Sequence, residues 1–151
     1  MIDCLFFGLK TVGWFDVWSF SHILSGVSSG AAVRQWNEKR FACQSGINTQ
    51  ERHLLSSDLL TVLFLAYLWE TIEHYLETGL AGSAVEFWFQ GVEFSGNRII
   101  TDPALVVTGY LIAKRCPQAI WPARILQFLW LFVHVVIFPH SMYLQDFFPS
   151  F

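Results

Sequence analysis

The sequence predicts an all-α membrane protein, a compact bundle of about four transmembrane helices with an interfacial or re-entrant segment on the extracytoplasmic side. Three observations predict it. Hydrophobic residues make up 54% of the chain and charged residues only 14%, against about 25% charged in soluble domains. The 15 Phe and 7 Trp are more aromatic surface than a soluble core of 151 residues hides with ease. Long apolar runs also recur along the chain, separated by charged or breaker-rich connections.

A span needs roughly 20 mostly apolar residues. The first candidate covers about residues 15–33 and the second about 59–80. The third, about 99–113, is short, and the fourth covers about 120–138. Lys114, Arg115, Cys116 and Pro117 divide the last two, a charged stop followed by a helix breaker. No repeat, low-complexity tract or Pro/Gly linker marks a second domain, so residues 1–151 read as one membrane domain. Residues 82–96 are too short to span and too aromatic for a free loop, with Phe87, Trp88, Phe89 and Phe94. Aromatic rings favour the headgroup level, so this piece is expected to lie along or re-enter the outer interface. Residues 1–14 are expected along the same interface; residues 1–10 lack the basic region and cleavage site of a signal peptide.

Basic residues set the orientation. Arg34, Lys39, Arg40 and Arg52 lie between the first two spans, Lys114 and Arg115 after the third, and Arg124 early in the fourth. These are seven of the nine Lys and Arg residues, leaving Lys10 and Arg98 for the other side. Both termini are then extracytoplasmic. A net charge of −3 and the lack of a basic stripe exclude a nucleic-acid partner. Cys4, Cys43 and Cys116 form no C-x-x-C pair and read as small apolar residues rather than a zinc knuckle or disulfide framework.

With these directions, ionisable groups from separate spans meet in the outer leaflet. His22 lies about two turns down span one, and Glu70, Glu73, His74 and Glu77 form a stripe on span two at i, i+3, i+4 and i+7. Asn97, Arg98 and Asp102 open span three, and His134 lies in the outer half of span four with His140 at the rim. Charged side chains inside a membrane face a bundle interior or a wet cavity and mark function by default. The expected result is a polar pocket open to the outside. Gly26 and Gly30 share a face with His22, and Val106 and Gly109 with Asp102, so small residues are expected to let these helices approach closely.

Blander roles compete at several positions. Glu77 and His140 suit a solvated rim, His53 a solvated loop, and Asp58 the N-cap of span two. His134 suits a hydrogen bond to a backbone carbonyl, and Arg98 a neutralising contact with Asp102 or Glu77. Trp69, Tyr75, Phe87 and Trp88 suit packing and belt positions.

Asp16, His22 and Gly26, followed by Glu70 with Glu73 and then by Asp102 with Gly109, resemble the motifs of the VanZ-like and YjdF-like small membrane proteins over about residues 15–113. The resemblance implies a bacterial inner-membrane location and weight on these motif residues, rather than a particular reaction.

Three functions follow from the polar groups. The first is a metal-assisted enzyme acting on a lipid or lipid-linked substrate. His22, Glu70, His74 and Asp102 are its candidate ligands for a divalent metal, because imidazole and carboxylates bind such ions with water completing the shell. Glu70, Glu73 and His74 are the candidate catalytic groups, with Glu73 or Glu77 as general base. No H-E-x-x-H helix, P-loop or nucleophile elbow is present. The second is an accessory or binding subunit of a larger membrane complex or homo-oligomer, with haem or a quinone held by His22, His74 or His134. The third is a small proton-coupled transporter, which the scarcity of ionisable groups in the cytoplasmic halves disfavours. Membrane lipids are the expected partners in every case.

Overall fold

A computed structural model of the protein describes residues 5–41 and 47–143, with side chains over 6–40 and 53–143. Cys4, Cys43 and the Arg52 side chain therefore lie outside the described residues. Described residues form two short strands, β1 (Leu5–Phe7) and β2 (Gly13–Phe15), and five α-helices, α1 (Ser19–Phe41), α2 (Ile47–Glu77), α3 (Ser83–Phe89), α4 (Asp102–Arg115) and α5 (Ile120–Phe132). A wide turn of π-helix, Asn97–Thr101, leads into α4, and another, Val133–Ile137, extends α5.

Local chemistry explains the ends. The Asp16 carboxylate accepts hydrogen bonds from the backbone N–H of Trp18 (2.7 Å) and Ser19 (3.0 Å), meeting donors that the first turn of α1 leaves unpaired. Pro103 stands in the first turn of α4, where its missing N–H costs nothing. Lys39 and Arg40 close α1 and Lys114 and Arg115 close α4, facing the negative ends of their helix dipoles.

The small-residue faces do what their spacing predicts. A Cβ on Gly26 would stand 2.1 Å from the Val106 carbonyl oxygen, and one on Gly109 2.2 Å from that of Ile23. Gly30 lies in the same way against Tyr110. These contacts advance together along both chains, so α1 and α4 run parallel with their backbones touching. α2 runs opposite to both: Asn37 on α1 and Tyr110 on α4 each donate to Asp58, at 2.7 and 2.8 Å, while His22 meets Glu70 at the other end. α5 also runs opposite to α1, with Gln127 donating to Ser21 (3.0 Å) and Ala123 packed among Leu24, Val27, Ala31 and Ala113. Val33, Val62, Ala66, Val106 and Tyr110 fill the seam between α1, α2 and α4.

Among the described residues, two stretches are long and apolar enough to cross a membrane, His53–Glu77 with mean hydropathy 1.3 and Pro117–Ile137 with 1.7. Only 22% and 11% of their most apolar windows are buried. Leu60 and Trp121, each 70% exposed, typify their outward faces. A core helix of a soluble protein would be mostly covered. α1 and α4, sandwiched between these stretches, do not qualify by length and composition.

Several local expectations change. Asp58 is no N-cap: α2 begins at Ile47, which puts Asp58 in the helix interior, buried against Asn37 and Tyr110. His53 is exposed, as expected, but helical rather than in a loop. The stretch before α1 carries an unanticipated β1–β2 pair, parallel, with Leu5 opposite Gly13 and Phe7 opposite Phe15. Residues 82–96 fold over one end of the bundle. There Phe94 N–H donates to the Lys10 carbonyl (2.8 Å), and Ser141 N–H donates to that of Trp88 (2.7 Å).

Candidate functional site

His22, Glu70 and Asp102, from three different helices, meet at the end of the bundle that residues 82–96 cover. His22 Nδ1 lies 3.6 Å from a Glu70 carboxylate oxygen, and its Nε2 lies 3.4 Å from Asp102 Oδ2. The parallel α1–α4 contact produces this meeting, since Gly26 and Val106 follow His22 and Asp102 by one turn on their helices. Glu70 is 3% exposed and Asp102 fully buried.

Two residues join them: Glu93, which the spacing of the spans did not single out, and Asn97, expected beside Asp102. Glu93, from the aromatic connector, brings a carboxylate to Glu70 and Asp102; one ligand atom from each of these three lies within 4.8 Å of the others. Asn97 donates to Glu93 at 2.7 Å and is itself buried. Asn97 and Asp102 are five positions apart, which the 3.6-residue turn of an α-helix would place on different faces. The π-helical turn closes from Asp102 N–H to the Asn97 carbonyl and brings both inward. Glu73, half-buried, forms a second such group with His22 and Glu70.

His74 does not join. It is exposed, with Nδ1 3.0 Å from Arg98 Nη1. On an ideal helix His74 stands about 40° to one side of Glu70 and Glu77 about 20° to the other, so the inward line runs through Glu70 and Glu77. Glu77 is accordingly no rim residue. Only 2% exposed, it accepts from Lys10 Nζ (2.6 Å), from Arg98 and from the Glu93 backbone N–H (3.1 Å). Arg98 also approaches Glu93, at 3.6 Å. His134 takes its expected role, with Nδ1 2.8 Å from the Trp130 carbonyl oxygen, and adds a Tyr143 hydroxyl at 3.2 Å from Nε2. His140 is half-buried.

The charge balance of the site is unusual. Glu77 absorbs Lys10 and most of Arg98. No nitrogen or hydroxyl donor hydrogen-bonds to either oxygen of Glu70 or of Asp102 among the described residues. Carboxylates taken out of water cost several kcal/mol each unless paired. So many acids facing one another in a dry interior cannot all stay charged unless a cation sits among them. One cavity of about 30 Å³ is lined by Lys10, Asp16 and Trp18, and one of about 270 Å³ lies at the opposite end of the bundle. The acid group is a closed cluster, with Glu70, Glu93 and Asp102 all buried.

Glu93, in the connector, carries the consequence for pH. Burial pushes its carboxyl up from 4.5 to about 8, helped by the Glu73 and Asp16 charges and opposed by Asp102 and Arg98. A carboxyl raised in the folded state binds its proton more tightly there than in the unfolded chain. Its contribution to stability is therefore present below about pH 4.5 and lost as pH climbs through about 8. In protein stripped of divalent ions, the thermal midpoint is expected to fall across this interval. Glu93→Gln should flatten the fall; an equally steep profile in the variant would assign it to another group.

A scan against protein-family models and searches of curated proteins and of solved structures return no match to this chain.

Proposed function

We propose that this chain is a small polytopic integral membrane protein whose four helices α1, α2, α4 and α5 enclose a divalent-cation site in the extracytoplasmic half of the bilayer. The observation that carries the reading is that, among the described residues, no nitrogen or hydroxyl donor hydrogen-bonds to the oxygens of Glu70 and Asp102, buried on either side of the His22 ring. His22, Glu70, Asp102 and Glu93 are the proposed ligands. Three carboxylates with one imidazole suit an ion such as Mn²⁺ or Zn²⁺ better than a soft, thiolate-seeking metal. His74 is left out of the set because Arg98 holds it.

The exposed apolar faces of His53–Glu77 and Pro117–Ile137 support a bilayer around the protein. α1 and α4 would cross between them, shielded from lipid by their neighbours. Lys and Arg gathered at the ends of α1 and α4 support both termini being extracytoplasmic in a bacterial inner membrane. The motif residues His22, Glu70 and Asp102 lie together, which supports placing the chain beside the VanZ-like and YjdF-like proteins.

As an enzyme, the protein would act on a lipid or lipid-linked substrate presented at the outer leaflet, the bound cation polarising it. Glu73 is the proposed general base: it adjoins His22 and Glu70, whereas Glu77 is occupied by two cations. The closed form of the cluster favours a second reading, a non-catalytic subunit whose site holds helices together. Elemental analysis of detergent-purified protein should find about one equivalent of a transition metal, lost in Glu70→Gln/Asp102→Asn while the elution profile is kept. A folded wild-type protein that takes up neither Mn²⁺ nor Zn²⁺ would overturn the cation site. Metal binding without turnover of any lipid-linked substrate, and with lower thermal stability once stripped, would select the subunit.

A further inference from the structure

The end of the bundle opposite the acid cluster has chemistry of its own. Twelve residues separate His22 from Arg34 on α1 and Asp102 from Lys114 on α4, or about 18 Å along each helix. Beside the Gly30–Tyr110 contact lies the cavity of about 270 Å³. Ala31, Ala113 and Ile120 give it an apolar wall, and Arg34, Gln35, Glu38, Tyr110 and Lys114 line it with polar groups. Pro117, where the apolar stretch Pro117–Ile137 begins, also lines it. If that stretch spans a bilayer, the cavity lies at the level of the lipid phosphates.

We propose that this cavity binds the phosphate headgroup of an anionic phospholipid of the cytoplasmic leaflet. The proposal rests on the membrane reading of α2 and α5 and is independent of the cation site. The Lys114 ammonium makes no ion pair or hydrogen bond among the described residues, so it holds a charge free for an anion. Arg34 Nε is 2.8 Å from a Glu38 carboxylate oxygen, but both side chains are more than two-fifths exposed. Such pairs contribute little and yield readily to a better anion. A guanidinium grips phosphate oxygens through paired donors, a lysine acts as a point charge beside it, and Gln35 offers a neutral amide. Lys39, Arg40 and Arg115, at the same end, extend the positive field. The volume falls just under the range of about 300–1,000 Å³ typical of small-molecule sites. That admits a glycerophosphate headgroup, with the acyl chains lying outside along the exposed apolar face of α5.

Delipidated protein, titrated in mixed micelles with phosphatidylglycerol or phosphatidylcholine, tests this through retained lipid seen by native mass spectrometry. Phosphatidylglycerol should be retained in preference to phosphatidylcholine. Each basic side chain contributes roughly fivefold, so Arg34→Gln/Lys114→Gln should weaken retention about 30-fold. Gln35→Trp, which plugs the mouth without changing charge, should weaken it too. Equal retention of the two lipids, or unchanged retention in both variants, overturns the proposal. Full displacement by millimolar inorganic phosphate would also overturn it, assigning the site to free phosphate. Both variants should keep the wild-type metal content, so failure here and failure of the cation site are separately visible.

Discussion

Glu77→Ala is expected to be the most damaging single substitution in the polar half of the molecule, costing about 3–5 kcal/mol. The Glu77 side chain is fully buried, and it accepts from three groups that approach from three places in the sequence. Lys10 comes from the turn between β1 and β2, Arg98 from the π-helical turn before α4, and the Glu93 N–H from the connector. Removing the carboxylate strands a lysine whose side chain is 3% exposed and an arginine that is 12% exposed. Neither can regain its hydration without opening the cap of the bundle. Glu77→Gln keeps an acceptor and should cost less, though it too leaves the cations uncompensated. Thermal unfolding in detergent, followed by tryptophan fluorescence, measures both. A loss under about 1 kcal/mol for Glu77→Ala would mean that the cap is held by its aromatic packing instead. Trp14 against Phe94 and Trp18 against Trp88 would then be the contacts to test.

Gly109→Ala should be nearly as harmful, against the usual direction of such a change. In an exposed helix interior, alanine is better than glycine by about 1 kcal/mol. Here the new methyl would meet the Ile23 carbonyl oxygen at 2.2 Å and the Val27 nitrogen at 2.7 Å. Both are backbone atoms of α1, so no side-chain rotation relieves the clash and the helices must separate. Overpacking typically costs about 1–3 kcal/mol, and a backbone obstruction belongs at or above the upper figure. Separation also pulls His22 from Asp102, so retained metal should fall together with the melting temperature. Gly26→Ala, facing the Val106 carbonyl oxygen at 2.1 Å, should behave alike. The double variant should cost less than the sum, because both substitutions break one contact. A Gly109→Ala protein as stable as wild type would rule out the close parallel packing.

The helical runs, the small-residue faces of α1 and α4, and the separation of Lys and Arg to one end were all legible before folding. Each depends on composition or on a spacing of three or four residues. That His22, Glu70 and Asp102 lie at one level was expected from helix direction, since groups at matching depths on alternating helices come level; their contact also needed the α1–α4 register. Glu93 was not legible. It belongs to an aromatic connector whose path over the bundle depends on Phe94 N–H reaching the Lys10 carbonyl and on Glu93 N–H reaching Glu77. His74 looked equivalent to Glu70 because one turn separates them, and only the position of α4 and Arg98 decides which side faces inward. Asp58 misled because a capping residue and a buried acceptor look alike when the helix start is misplaced by three turns.

The sequence by itself determined that helices form, which of their faces are apolar or small, and at which end each charge lies, because those properties are local and periodic. Tertiary structure decided which acids share a site and which are neutralised. That choice depends on one π-helical turn, a folded connector and the register of two glycine faces, each of which joins residues far apart in the chain.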